Sequence, residues 1–170
     1  MKNTNPRVGI LMGSDSDWDV MSAASARLDA FGVPHEVTVT SAHRAPQRTA
    51  AYASSARERG LQVLICGAGA AAHLAGMVAA HTILPVIGVP LESGSLRGWD
   101  ALLATVQMPL GVPVATVAVG TAGAENAALL ALQILALGDG ELQRQLVDFK
   151  SELARQVDEK DARLQQRRRR

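Results

Sequence analysis

Val37-Thr38-Val39-Thr40-Ser41-Ala42-His43-Arg44-Ala45-Pro46 decides how the rest of the chain is read. A β-branched run suited to a strand leads into a small polar loop, and the loop into a proline that can open a helix. The same order recurs at Val8–Met12 with Gly13-Ser14-Asp15-Ser16-Asp17, and at Val63–Cys66 with Gly67-Ala68-Gly69-Ala70-Ala71-Ala72-His73. Apolar runs such as Val8–Met12, with no polar alternation, suit strands buried on both faces of a parallel sheet.

Outward from these units the pattern continues. Ser16 with Asp19 three residues later forms a capping-box variant, opening a helix to about Phe31 with Gly32 as its C-cap. Pro46 opens a second helix that ends near Arg59-Gly60, and a short one follows from Leu74 to Ala80. Val86–Val89 is a fourth strand, Gly98–Gln107 a helix, Val114–Val119 a fifth strand and Gly123–Leu137 a long Ala/Leu helix. Strands alternating with helices imply parallel pairing through right-handed crossovers. The expected fold is a three-layer, doubly wound parallel α/β sheet of flavodoxin-like style, with an extra C-terminal helix and ligands at the carboxyl ends of the strands. That extra helix, Glu141 to about Gln165, carries an apolar stripe at Leu142, Leu146, Phe149 and Leu153. With the uniformly apolar Gly123–Leu137 helix it calls for burial against other copies of the chain.

Composition narrows the function. At 170 residues and 48% apolar, the chain is a single domain with enough core to fold without disulfides. It has no apolar run of about 18 residues to cross a membrane. Met1-Lys2-Asn3-Thr4-Asn5-Pro6 lacks the apolar segment of a signal peptide, so a cytoplasmic location is expected. Cys66 is the only cysteine and reads as a small buried hydrophobe. Net charge is +1, but without Arg167–Arg170 the balance is 13 basic to 16 acidic residues, or −3. The basic character therefore sits at the end of a charged segment, 158–170, that is expected to fray beyond a domain spanning 1–157. No basic stripe interleaved with aromatics marks a nucleic-acid surface.

The polar loops carry the chemistry. Ser14 and Asp17 lie near a helix N-terminus, where a phosphate suits the hydroxyl and a ribose diol the carboxylate. Ser41, His43 and Arg44 place a hydroxyl, a proton-transfer group and an anion-holding guanidinium on one turn. The Gly67–His73 loop is small enough for its backbone to approach a ligand. It has neither the Gly-Lys-Ser/Thr ending of a phosphate-binding loop nor a full Gly-x-Gly-x-x-Gly. His35 belongs at a strand entrance and His81 near a helix C-terminus, and neither has metal-ligand spacing. No Ser/His/Asp order or carboxylate pair suggests hydrolysis.

Met12-Gly13-Ser14-Asp15-Ser16-Asp17-Trp18, Ser41-Ala42-His43-Arg44, Gly67-Ala68-Gly69, Ala71-Ala72-His73-Leu74, Val106-Gln107-Met108-Pro109 and Asn126–Ala131 resemble the N5-carboxyaminoimidazole ribonucleotide mutases of purine biosynthesis. The likeness runs from about Val8 to Val157. It implies a homo-octamer with sites between subunits, a small ribonucleotide substrate, and neither metal nor organic cofactor. It further implies that Ser14, Ser41 and Arg44 hold the 5′-phosphate and Asp17 the ribose. The backbone of the Gly69–Leu74 loop would surround the migrating carboxylate, with His43 as catalytic acid and base. Gly69, Ala70, Ala72, His73 and Leu74 count with Ala42 among the substrate-binding residues, His73 helping to position the carboxylate. Arg44 and Ala72-His73-Leu74 favour the mutase over the related carboxylase that uses free CO2, whose pattern has Lys after the His. A non-catalytic phosphoribosyl-binding module is the alternative from another class. The chain departs from the family pattern at Ala70, where glycine is usual, at Ala75, usually proline, and at Ala115, usually glycine. If position 70 needs a positive φ, alanine there is strained by about 1–2 kcal/mol.

Overall fold

A computed structural model describes residues 5–168 of the chain; the expectations for Met1–Thr4 and for Arg169 and Arg170 fall outside that range. The described residues form two compact units that meet in sequence between Ile134 and Leu135. In the first, five strands pair in parallel in the order β2-β1-β3-β4-β5. They are β1 (Val8–Met12), β2 (His35–Val39), β3 (Val63–Gly69), β4 (Val86–Leu91) and β5 (Ala115–Thr116). The helices are α1 (Trp18–Ala30), α2 (Pro46–Ser55), α3 (Leu74–Ala80), α4 (Trp99–Val106) and α5 (Thr121–Ala136), and α6 (Gly140–Arg168) belongs to the second unit.

β1 is buried along its whole length, and β3 over its first five residues, as their continuous apolar runs require. Alternate side chains of these strands feed the two faces of the sheet. Leu11, Leu64 and Cys66 join Ala53 and Ala56 from the α2 segment and Leu74, Ala75 and Val78 of α3 in one cluster. Burial pushes the Cys66 thiol well above its usual range, in keeping with its reading as a buried hydrophobe. Glycines set the closest approaches. A β-carbon on Gly9 would lie 2.5 Å from the Tyr52 hydroxyl, and one on Gly88 would lie 2.4 Å from Cγ2 of Thr105 in α4. On the opposite face, Met21 of α1 fills the space left by Gly67, where a β-carbon would meet its sulfur at 2.5 Å. Arg27 of α1 pairs with Glu125 of α5 at 2.8 Å. With α2, α3 and α4 on one face and α1 and α5 on the other, the unit is the expected three-layer doubly wound sheet.

Several boundaries move. The N-terminal cap lies two residues earlier than expected: Ser14 and Asp17, not Ser16 and Asp19, form the capping box, and a 3₁₀ turn at Asp15–Asp17 precedes α1. The Ser14 hydroxyl accepts from the Ser16 N–H while the Asp17 carboxylate accepts from the Ser14 N–H, because only Ser14 adopts the extended backbone a cap needs. α2 stops at Ser55, followed by turns through Gly60. β5 keeps only Ala115–Thr116, since its partner β4 offers register only at Ile87 and Gly88.

In the second unit, α6 continues through Arg168, so the charged segment expected to fray is helical that far. Pairs at helical spacing, Arg144 with Glu141 and Arg155 with Glu152 and Glu159, support it on its solvated side. No described helix is long and apolar enough to cross a membrane.

Candidate active site

The chain order reverses between β1 and β3: β1 leads to β2 on one side, whereas β3 leads to β4 on the other. Loops leaving the two strands diverge there and open a crevice at the carboxyl end of the sheet. A cavity of about 400 Å3 occupies it, lined by residues of the loops after β1, β2, β3 and β4.

The first loop contributes Gly13, Ser14 and Asp17. Asp17 Oδ2 accepts the Ser14 N–H at 3.0 Å, which fixes the carboxylate while leaving acceptor sites for hydroxyls of a ligand. Burial raises the Asp17 carboxyl above its usual range, opposed by the backbone N–H groups of Ser14 and Gly13 and reinforced by the charge of Asp15. The Ser14 hydroxyl donates to Oδ1 of Asp15 at 3.1 Å, an exposed contact that an anion can replace.

The second loop turns sharply between β2 and α2. Ser41 Oγ accepts the Arg44 N–H at 3.2 Å, and the Ser41 carbonyl accepts the Ala45 N–H at 2.9 Å. This turn sends the Arg44 side chain across to the first loop, where Nη2 donates to the Gly13 carbonyl at 3.1 Å. One guanidinium donor is thereby used for positioning, and the others remain for an anion. Ser14, Ser41 and Arg44 all line the cavity, as does Ala42.

The third loop brings the second imidazole. His43 Nε2 and His73 Nδ1 are 2.8 Å apart, with the rings edge-on at 81° and their centroids 4.9 Å apart. One nitrogen donates and the other accepts, so each ring fixes the orientation of its partner. His73 is placed for this by residues 70–73, where the Ala72 N–H donates to the Ala70 carbonyl and the His73 N–H to the Ala71 carbonyl, each at 2.8 Å. That coil holds Ala70 at φ +51°, the left-handed region in which alanine is strained.

Of the residues singled out in the sequence, Ser14, Asp17, Ser41, Ala42, His43, Arg44, Gly69, Ala70, His73 and Leu74 line this one cavity. Ala72 does not: its side chain is turned into the protein and only 1% of the residue is exposed. Gly13, Ala68 and Ser93 also line the cavity without having been expected to, as does Ala71, which was covered only as part of the Gly69–Leu74 loop. Ser93 follows β4, whose loop has no motif to mark it. The remaining histidines keep structural places. His35 opens β2 and bonds the Val33 carbonyl and the Ser25 hydroxyl, while His81 Nδ1 meets the Met77 carbonyl at the end of α3. Ala75 lies in the first turn of α3, where the proline usual at that position fits.

Known proteins resemble this chain in sequence and fold. A sequence model described as AIR carboxylase matches residues 7–156. The chain is 53% identical over 166 residues to the N5-carboxyaminoimidazole ribonucleotide mutase of Pyrococcus horikoshii, a match covering 98% of this chain and 93% of that one. It is 58% identical over 160 residues to the protein of the same name from Mycobacterium tuberculosis, covering 94% and 91%. Among solved structures, PurE of Treponema denticola superposes with a TM-score of 0.84 at 29% identity, covering 94% of this chain and 98% of that one. A cavity built from these three loops on this sheet, within a match of that extent, places the chain in the AIR carboxylase family.

Proposed function

We propose that the chain is an N5-carboxyaminoimidazole ribonucleotide mutase, converting its substrate to the 4-carboxylated isomer in purine (IMP) biosynthesis. The observation that carries the reading is the oriented His43–His73 pair in a cavity that also gathers Ser14, Ser41 and Arg44. An anion-holding group and a proton-transfer group thus face one ligand-sized space.

In the proposed mechanism, Arg44 and the two serine hydroxyls hold the 5′-phosphate through charge-assisted hydrogen bonds, and Asp17 accepts from the ribose hydroxyls. Protonated His43 donates its proton to the exocyclic nitrogen as the N–carboxyl bond breaks, giving the free amine and CO2. Carbon 4 attacks the CO2, forming the new C–C bond. Neutral His43 then takes the ring proton from carbon 4, which restores aromaticity and its own starting state. The net change is an isomerisation, with no proton gained or lost. Imidazole suits the double role because it exchanges a proton near neutral pH. CO2 held beside carbon 4 reacts without being recaptured from solution, an advantage of proximity. The Gly69–Ala72 part of the third loop approaches the reacting end closely because its side chains are no larger than a methyl group.

The family likeness extends the proposal to a cytoplasmic homo-octamer. Its physical support is an uncovered apolar stripe on and beyond α4, where Trp99, Leu103, Val106 and Leu110 are all exposed large hydrophobics. A second copy of the chain is the proposed cover, and the mass of the purified protein in solution tests it.

The decisive experiment follows formation of the 4-carboxylated product from N5-carboxyaminoimidazole ribonucleotide and, separately, from aminoimidazole ribonucleotide with high CO2. Rapid product from the first alone is the expected result. Efficient product from free CO2 assigns the protein to the carboxylase reaction. Nucleotide binding without product from either leaves a binding module.

A further inference from the structure

Ser93 lines the cavity with a polar side chain to which the proposed mechanism gives no role. It follows β4, and its Oγ is shielded from solvent with no hydrogen-bond partner among the described residues. A buried hydroxyl left unpaired is uncommon and destabilising, and at the wall of a ligand cavity it marks a contact completed by the ligand. Asp100 Oδ1 is also buried and unpaired, but Asp100 does not line the cavity.

The position of Ser93 identifies which end of the ligand it meets. A β-carbon on Gly69 would lie 3.0 Å from Ser93 Oγ and 3.2 Å from its β-carbon. The hydroxyl therefore packs directly over the α-carbon of Gly69, against the third loop. Arg44 and Ser41 belong to a different loop, as does the Gly13 carbonyl that Arg44 grips. Glycine at position 69 is what leaves room for the hydroxyl to stand there.

We propose that the Ser93 hydroxyl donates a hydrogen bond to the migrating carboxylate, as a positioning contact at the reacting end of the substrate. This rests on the mutase reading, which places the carboxylate beside the Gly69–Leu74 loop. The hydroxyl restrains the carboxylate and, after the N–carboxyl bond breaks, one oxygen of the CO2, keeping its carbon beside carbon 4. No proton is transferred by Ser93.

The test compares the full chain with its Ser93→Ala and Ser93→Thr variants. Calorimetric titrations use two nucleotides, aminoimidazole ribonucleotide and its 4-carboxylated derivative, and thermal unfolding is recorded on the free proteins. Ser93→Ala should bind the uncarboxylated nucleotide as the parent does and the carboxylated one about tenfold more weakly, the effect of losing one such contact. Its free form should be no less stable than the parent, because the substitution removes an unpaired buried hydroxyl. Ser93→Thr, which keeps the hydroxyl, should restore discrimination between the two ligands. Equal weakening of both nucleotides, or no change in either, overturns the proposal, as does a loss of stability that accounts for the weaker binding. A parent that binds the carboxylated nucleotide but converts nothing refutes the mutase reading, and the paired titrations still decide whether Ser93 touches a carboxylate.

Discussion

Replacing Ala70 by glycine isolates the strain in the loop that builds one wall of the cavity. Ala70 sits at φ +51° and is exposed, so its methyl group contributes little packing. A non-glycine residue in the left-handed region is strained by about 1–2 kcal/mol. Glycine relieves this but loses about 0.4–1 kcal/mol through the greater freedom of the unfolded chain. The difference predicts that Ala70→Gly stabilises the protein by about 0.5–1 kcal/mol, a rise in Tm of about 1–4 °C for a chain of this size. Thermal unfolding at matched protein concentration measures it, since association would otherwise shift the apparent Tm. Gly32 supplies the opposite control: it has φ +65° with open space where a β-carbon would go. Gly32→Ala should therefore lower stability by a similar amount through backbone strain alone. If Ala70→Gly leaves Tm unchanged or lowers it while Gly32→Ala behaves as stated, the assignment of strain to position 70 is wrong.

His43→Asn should lower kcat by about 10²–10⁴-fold while nucleotide binding, read by calorimetry, stays within a few-fold of the parent; parallel loss of both would remove the proton-transfer role. Gly88→Ala drives a methyl to 2.4 Å from Thr105 Cγ2 and 2.9 Å from Val114 Cγ1. Thr105 is buried and its hydroxyl donates to the Ala101 carbonyl, so it yields poorly, and denaturant unfolding should show a loss of about 1–3 kcal/mol. Tyr52→Phe removes the hydroxyl that donates to Glu36 Oε1 at 2.6 Å, which should reduce stability at pH 7 by about 1 kcal/mol. Burial pushes the Glu36 carboxyl upward, but the hydrogen bonds from Tyr52 and Arg59 and the charge of Arg59 outweigh it and hold the group below its ordinary 4.5. A lowered carboxyl stabilises the fold above its unfolded value and loses that contribution as pH falls through the folded one. The gap between parent and Tyr52→Phe should therefore be full at neutral pH and close on acidification below about 4.5; a gap independent of pH would assign the Tyr52 effect to packing alone.

The sequence by itself determined the layered architecture, because burial on both faces of a parallel strand leaves a local apolar run that can be read without knowing its neighbours. It also placed Ser14, Asp17, Ser41, His43 and Arg44 where strands end and helices start, the positions that line the cavity. It misplaced the first helix cap, because Ser14/Asp17 and Ser16/Asp19 have the same spacing and only backbone dihedrals separate them. Tertiary structure alone decided that the His43 and His73 rings meet, that Arg44 closes onto the Gly13 carbonyl, and that Ala72 turns inward while its neighbour Ala71 lines the cavity. It alone brought Ser93 against Gly69. The physical reason is separation along the chain. Local periodicity and loop composition fix each strand–helix unit, whereas contacts between loops 30 residues apart in sequence, as for His43 and His73, depend on which strands are neighbours and in what register.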